Sequence, residues 1–282
     1  MYQSGDIELS GLLQRQLLPL ASVANARQLG GYRMADGRRV RDNLLLRGGS
    51  LAALSPDDLT RLRDTYRLRL VFDFRSEIET RLAPDRKVAG SRYIWLPVID
   101  PDTEKPVNCN LPSEAYNNLP GFLVQHASDP RVQQVARNMY TETVLNEYSQ
   151  LQYAAFFEML VDAPEGAVYW HCAQGKDRTG LAAALLLAAL GADRETILRD
   201  YELSNVYYRA DVEPVLRQVT ADGGGDAERQ TVIAFLGAHV GFFDRALTVV
   251  ERKYGSLTDY LTGPLCLTGN DIDTLRGKYL EK

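Results

Sequence analysis

The sequence predicts an α/β fold, with a central, mostly parallel sheet flanked by helices and a largely helical C-terminal part. Three observations carry this reading. Short apolar runs of strand length, such as Leu68 to Phe74 and Ala167 to Trp170, read as buried strands. Strand candidates alternate with segments of helical pattern, as α/β architecture requires. From Asp193 to Lys282 the pattern is mostly helical, broken at Gly223-Gly224-Gly225, which reads as a surface loop.

Taken in order, Asn43 to Arg47 is the first strand, and Ser55-Pro56-Asp57-Asp58 supplies a cap and a first-turn proline for a helix. Leu68 to Phe74 is the second strand. Ser76 with Glu79 forms a capping-box pattern for a short helix that Pro84 ends. Arg92 to Val98 is the third strand. A polar, proline-bearing excursion from Asp100 to about Ser128 reads as loop, and Pro130 to Asp162 carries a helical pattern. Val168 to His171 is the strand that enters the most informative segment. Beyond it, Arg178 to Leu190 is rich in Ala and Leu, with no glycine after Gly180 and with Gly191 as its stop, so a helix begins there.

With 282 residues, of which 45% are hydrophobic, the chain can bury a sizeable core, and no Pro/Gly/Ser-rich linker divides it. We read residues 1–24 as an N-terminal extension and residues 25–282 as a single domain. A net charge of −5 argues against a nucleic-acid groove or an anionic membrane face as the dominant surface. Cys109, Cys172 and Cys266 are too few and too scattered for a disulfide framework or a zinc site. The longest apolar run, Leu181 to Leu190, is too short to span a bilayer, and Met1 to Leu20 lacks the pattern of a signal peptide. A cytoplasmic setting is the expectation, although a secreted chain whose leader had been removed would read the same way.

The decisive segment is His171-Cys172-Ala173-Gln174-Gly175-Lys176-Asp177-Arg178-Thr179-Gly180. It places a cysteine six positions before an arginine in a glycine-bearing loop at a helix N-terminus. Unpaired N–H groups and the positive end of the helix dipole favour an anion there, whether phosphate or thiolate. Helix N-termini and cationic neighbours lower a cysteine pKa from about 8.5 to roughly 3.5–7.5, so Cys172 is expected as a thiolate at neutral pH. Arg178 offers a planar fork for two phosphoryl oxygens, and Thr179 a hydroxyl for the departing sulfur.

This segment resembles the Cys-x5-Arg loop of protein tyrosine phosphatases, in particular an atypical bacterial branch whose members resemble both phosphotyrosine and phosphoinositide phosphatases. Asn25-Ala26-Arg27-Gln28-Leu29-Gly30-Gly31-Tyr32, Leu46-Arg47-Gly48-Gly49-Ser50-Leu51, Phe72-Asp73-Phe74-Arg75-Ser76-Glu77-Ile78-Glu79 and the C-terminal Tyr254-Gly255-Ser256 with Leu275-Arg276 resemble further elements of that branch. The chain departs from it at Gln28, where an aspartate is usual, and at Gln174, where a small residue is commoner. The resemblance implies a cysteine-dependent phosphomonoesterase that takes phosphorylated protein or phosphoinositide. Cys172 is its nucleophile, and Ala173, Gln174, Gly175, Lys176 and Arg178 are its phosphate cradle.

Two aspartates compete as general acid. Asp100 follows the strand ending Leu96-Pro97-Val98, at an edge where α/β sites gather their chemistry. Asp177 lies in the phosphate loop itself. Asp73, Arg75, His171 and Thr179 are expected to support the loop, with His171 beneath it because strand alternation turns its side chain away from Cys172. Lys176 is expected to attract a substrate with more than one phosphate. His126 and His239, the only other histidines, make no metal constellation, so neither a metal nor another cofactor is expected. Rival readings are a phosphate-binding pseudoenzyme that recognises phosphorylated partners, a rhodanese-like sulfur transferase, which would not need Arg178, and a nucleotide kinase, which needs Ser or Thr where Asp177 stands.

Overall fold

The computed structural model describes residue 11, residues 13–101 and residues 118–282. A five-stranded sheet forms the centre. Its strands are β1 (Arg27–Gln28), β3 (Leu45–Gly48), β6 (Ala167–His171), β4 (Leu68–Asp73) and β5 (Arg92–Trp95), in that spatial order. Strands β3, β6, β4 and β5 run parallel, and only β1, at one edge, is antiparallel. The remaining strands, β2 (Arg39–Val40) and β7 (Leu280–Glu281), form a small ribbon that ties the C-terminus to the N-terminal part.

Register fixes the position of the site. Gly48, His171, Asp73 and Trp95 pair across neighbouring strands in one row at the C-terminal edge of the sheet. The loops beyond that row are where an open α/β sheet places a ligand.

The helix that follows β6, α6 (Asp177–Leu190), is buried at every position except the half-buried Ala188. A helix that is apolar all round belongs at the centre of a core. Gly191, at φ 97°, ends it in the left-handed cap expected of glycine. Further helices complete the fold: α1 (Pro56–Thr60), continued by a π-type turn to Thr65, α2 (Glu77–Leu82), α3 (Leu119–His126), α4 (Pro130–Leu145), α5 (Glu147–Val161), α7 (Arg194–Glu202), α8 (Ser204–Ala221), α9 (Asp226–Leu236), α10 (Val240–Tyr254), α11 (Leu257–Thr262) and α12 (Gly269–Tyr279). One apolar cluster lies on the α6 face of the sheet, with Phe72, Phe74, Phe156 and Trp170 meeting edge-on or tilted. A smaller cluster covers the other face. Among the described residues no single helix is long and apolar enough to cross a membrane.

The structure refines three expectations. The excursion read as loop contains α3, which Asn118 caps and Pro120 opens, while residues 102–117, with Cys109, lie outside the described residues. The helical stretch from Pro130 to Asp162 is two helices, because Asn146 adopts an extended conformation and caps α5 with its side chain. The N-terminal extension is, from Leu18 onward, part of the packed domain: Leu18, Leu20 and Val23 lie in the smaller cluster with Leu46, Val71 and Tyr169.

Candidate active site

Residues 172–176 form the turn between β6 and α6, and its carbonyls are tied off on the outer side. Ser50 N donates to Ala173 O at 3.1 Å. Tyr208 Oη donates to Gln174 O at 2.6 Å. Asn25 Nδ2 and Arg47 Nη2 both donate to Gly175 O, at 3.0 and 2.9 Å. His171 Nδ1 lies 3.1 Å from Cys172 O. In a planar trans peptide the N–H points opposite to the C=O, so carbonyls held outward turn the amides inward. Gly175 makes the turn possible. At φ 65° it sits in the left-handed region, and a Cβ there would lie 2.1 Å from the carbonyl of Gly48.

Cys172 is buried at the floor of this cup. Burial pushes its thiol pKa up, but the Arg178 charge and the polar groups of Thr179 outweigh both burial and the opposing Asp177 charge, and the net direction is down. Opening α6, Arg178 is nearly as buried, and Glu79 holds it end-on: Nη1 donates to Oε2 at 2.7 Å and Nη2 to Oε1 at 2.8 Å. Nη1 also reaches Phe74 O at 3.3 Å. A guanidinium has five N–H donors in a fixed fork. Those contacts leave the Nε edge, and Nε is buried without a partner. Glu79 therefore fixes which edge of Arg178 is left without a partner. Its own carboxyl, despite burial, is held down to about 2 by that guanidinium. The sequence places Glu79 in a capping box and in a segment of family resemblance without pointing to Arg178, and Glu79 fills the capping role too, accepting from Ser76 N at 2.8 Å.

Asp177 is the first residue of α6. Tyr140 Oη donates to its Oδ1 at 2.6 Å and itself meets Tyr201 Oη at 2.5 Å, while Lys176 Nζ stands 3.6 Å from Oδ2. Lys176 does not reach outward: its ammonium is fully buried and donates to Phe235 O at 2.8 Å and Ala234 O at 3.4 Å, at the C-terminal end of α9. The expectation that Lys176 gathers a second phosphate therefore meets a side chain already committed to carbonyls. Asp100 lies where expected, beyond β5. However, β5 is two strands from β6, roughly 10 Å at ordinary strand spacing.

The sequence model of the tyrosine phosphatase family matches residues 18–281. The chain belongs to the tyrosine phosphatase family. A protein of Cupriavidus necator, provisionally named a tyrosine-protein phosphatase, is 31% identical over 94% of this chain and 89% of its own. The triple-specificity protein phosphatase PtpB of Mycobacterium tuberculosis is 28% identical over 77% of this chain and 86% of its own. A tyrosine-protein phosphatase of Nostoc commune is 38% identical over 40% of each chain.

Beneath the loop of this phosphatase, the row at the sheet edge carries a buried ion cluster. Arg75 pairs with Asp73 through Nε at 2.9 Å and Nη2 at 2.7 Å, and its Nη2 also lies 2.9 Å from Asp85 Oδ1. His171 Nε2 lies 2.9 Å from Asp85 Oδ2. Burial lowers the His171 pKa, but Asp85 and Asp73 outweigh it and raise the imidazole above its ordinary value. Asp73, Arg75 and His171 thus lie together at the sheet edge below the loop, and Asp85 joins them. The ligand atoms of Asp73, Asp85 and His171 lie within 4.8 Å of one another, yet the Arg75 guanidinium already reaches both carboxylates, so the trio is a poor cation site.

Proposed function

We propose that the protein hydrolyses phosphate monoesters, foremost phosphotyrosine in proteins, through a cysteinyl-phosphate intermediate. The Cys172 thiolate attacks phosphorus in line with the leaving oxygen, forming the S–P bond as the P–O bond breaks. Loop amides and the Nε edge of Arg178 hold the non-bridging oxygens. Protonated Asp177 delivers its proton to the departing phenol oxygen. The resulting carboxylate then takes a proton from water as that water attacks phosphorus, and the sulfur leaves as a thiolate eased by Thr179. The acceleration comes from fixed donors already aimed where charge gathers and from splitting one displacement into two.

One observation carries the reading: the loop carbonyls are tied off outward, so the amides and the unpartnered edge of Arg178 converge above a thiol held below its ordinary pKa. Asp177 is the preferred acid because it stands in the short segment between Cys172 and Arg178, whereas Asp100 follows a strand two places away in the sheet. Phosphotyrosine is preferred over phosphoinositide because the ammonium that would recognise another phosphate is spent on Ala234 and Phe235.

Turnover of p-nitrophenyl phosphate with a chelator present tests the reaction, and turnover also separates an enzyme from a phosphate-binding pseudoenzyme. Cys172→Ser is expected to abolish it, and undiminished activity would reject the proposal. Asp177→Asn is expected to slow phenyl phosphate, a poor leaving group, far more than p-nitrophenyl phosphate. If Asp100→Asn shows that pattern instead, the acid is Asp100. A panel of phosphopeptides and phosphoinositides decides the substrate class.

A further inference from the structure

A second buried ion cluster lies behind the phosphate loop, on the β1 and β3 side. Asn25, Arg27 and Arg47 are wholly buried, and Asp200 of α7 is nearly so. Arg27 reaches Asp200 through Nε at 3.3 Å and donates Nη2 to its carbonyl at 2.8 Å, while Arg47 Nη1 pairs with Asp200 Oδ2. Tyr32 Oη approaches the same carboxylate at 3.4 Å. Two guanidiniums therefore face one carboxylate, and one positive charge has no counter-ion within the cluster. Arg47 Nε is buried without a partner as well. An uncompensated buried charge is costly, so it needs an anion nearby to recover that cost.

The loop is what this charge faces. Arg47 Nη2 donates to Gly175 O at 2.9 Å, and Arg27 Nη1 holds Asn25 Oδ1 so that Asn25 Nδ2 reaches the same carbonyl. We propose that Arg47 is a positioning residue for the phosphatase reaction: its fork keeps the Gly175 carbonyl outward so the amides face the phosphoryl group, and its unopposed charge sustains the Cys172 thiolate and bound oxyanion from behind. Burial and the neighbouring Arg27 hold the Arg47 pKa down to about 10, against which Asp200 and, more weakly, the Cys172 sulfur raise it. The other groups around that sulfur are Arg178 and Asp177 of α6, Lys176 of the loop, and the phenols Tyr153 of α5, Tyr169 of β6 and Tyr208 of α8.

This inference rests on the proposed cysteine chemistry, but its test needs no turnover. The rate of Cys172 alkylation by iodoacetamide, followed on its own peptide across pH, gives the thiol midpoint, and inorganic phosphate added as a competitor gives oxyanion affinity. Arg47→Gln is expected to raise the midpoint by about one pH unit and to weaken phosphate protection about tenfold. Asp200→Asn leaves both guanidiniums unopposed and is expected to shift both readouts the opposite way. Damage to the loop alone would move the two variants in the same direction, and that result, or no shift in either, overturns the proposal. Where Arg47→Gln yields no folded protein, Arg47→Lys takes its place: retained charge predicts a midpoint within about 0.3 unit of the parent with lowered kcat. A rise of about one unit in that variant would count against a charge effect. Failure of Cys172→Ser to abolish turnover would overturn the chemistry itself, a result distinct from an unmoved midpoint.

Discussion

The two ion clusters beside the phosphate loop both lie inside the fold and are oppositely composed. On the β4 side, Asp73 and Asp85 face Arg75 and an imidazole whose pKa is raised, so a proton on that imidazole closes the charge within the cluster. On the β1 and β3 side, Arg27 and Arg47 outnumber Asp200, and charge closes only against something outside. The balanced cluster serves as a footing: it holds the strand ends from which Cys172 and the segment carrying Glu79 depart. The unbalanced one sends Asn25 and Arg47 to the Gly175 carbonyl in the middle of the loop, whereas the balanced one meets the loop only at its start, through His171 and the Cys172 carbonyl. A balanced cluster can be placed anywhere in a core, whereas an unbalanced one is tolerable only where an anion comes to it.

Removing an arginine from each cluster separates the two most widely. Arg75→Met strands two buried carboxylates and is expected to cost about 3–5 kcal/mol of stability in chemical denaturation. Arg47→Gln leaves Arg27 paired with Asp200 and should cost less than half as much, mainly for the Gly175 carbonyl donor it removes. Equal losses would mean that the imbalance is only formal.

A smaller effect is expected at Glu79, which links the balanced side to the reacting centre. Glu79→Gln keeps the shape and removes the charge that aims Arg178, so kcat/KM should fall about a hundredfold, and the fold should lose the stability that the charged pair contributes. Because the Glu79 carboxyl is held down to about 2, its pairing stabilises the fold fully above the ordinary value near 4.5, and that contribution is lost as pH falls toward 2. Acid titration of unfolding should show this loss in the parent and not in the variant.

The smallest effect is expected at His171. Its raised pKa means that its stabilisation is fully present below the ordinary value near 6.5 and is lost as pH rises through the higher folded value. Melting temperature should therefore drop between pH 6 and pH 9 more in the parent than in His171→Asn. An identical slope in both would show that the imidazole stays neutral and that the β4 cluster is not balanced after all.

The chemistry was legible wherever it is local in sequence. Cys172, the loop and Arg178 are contiguous, and the change from strand to helix around them is written in composition. Alternation placed His171 beneath the loop. What pairs across the fold was not legible. Glu79 was read for its local partner Ser76 and not for Arg178, 99 positions away, because a capping box announces itself within four residues and an ion pair between elements does not. Asp200 sits in a helix with no motif around it. Arg27, Arg47 and Asn25 stood inside segments recognised only by resemblance, with nothing local to say that they converge on one carbonyl. The burial of Lys176 depended on where α9 ends, which periodicity does not locate. Helix α3 had readable signals in Asn118 and Pro120, outweighed by the polar stretch before it.

The most direct test of the account is the titration midpoint of Cys172 in the unaltered protein, read from alkylation of its own peptide across pH with and without inorganic phosphate. The account predicts a midpoint below the ordinary cysteine value of about 8.5, with phosphate slowing the reaction. A midpoint at or above that value, or alkylation indifferent to phosphate, would contradict it.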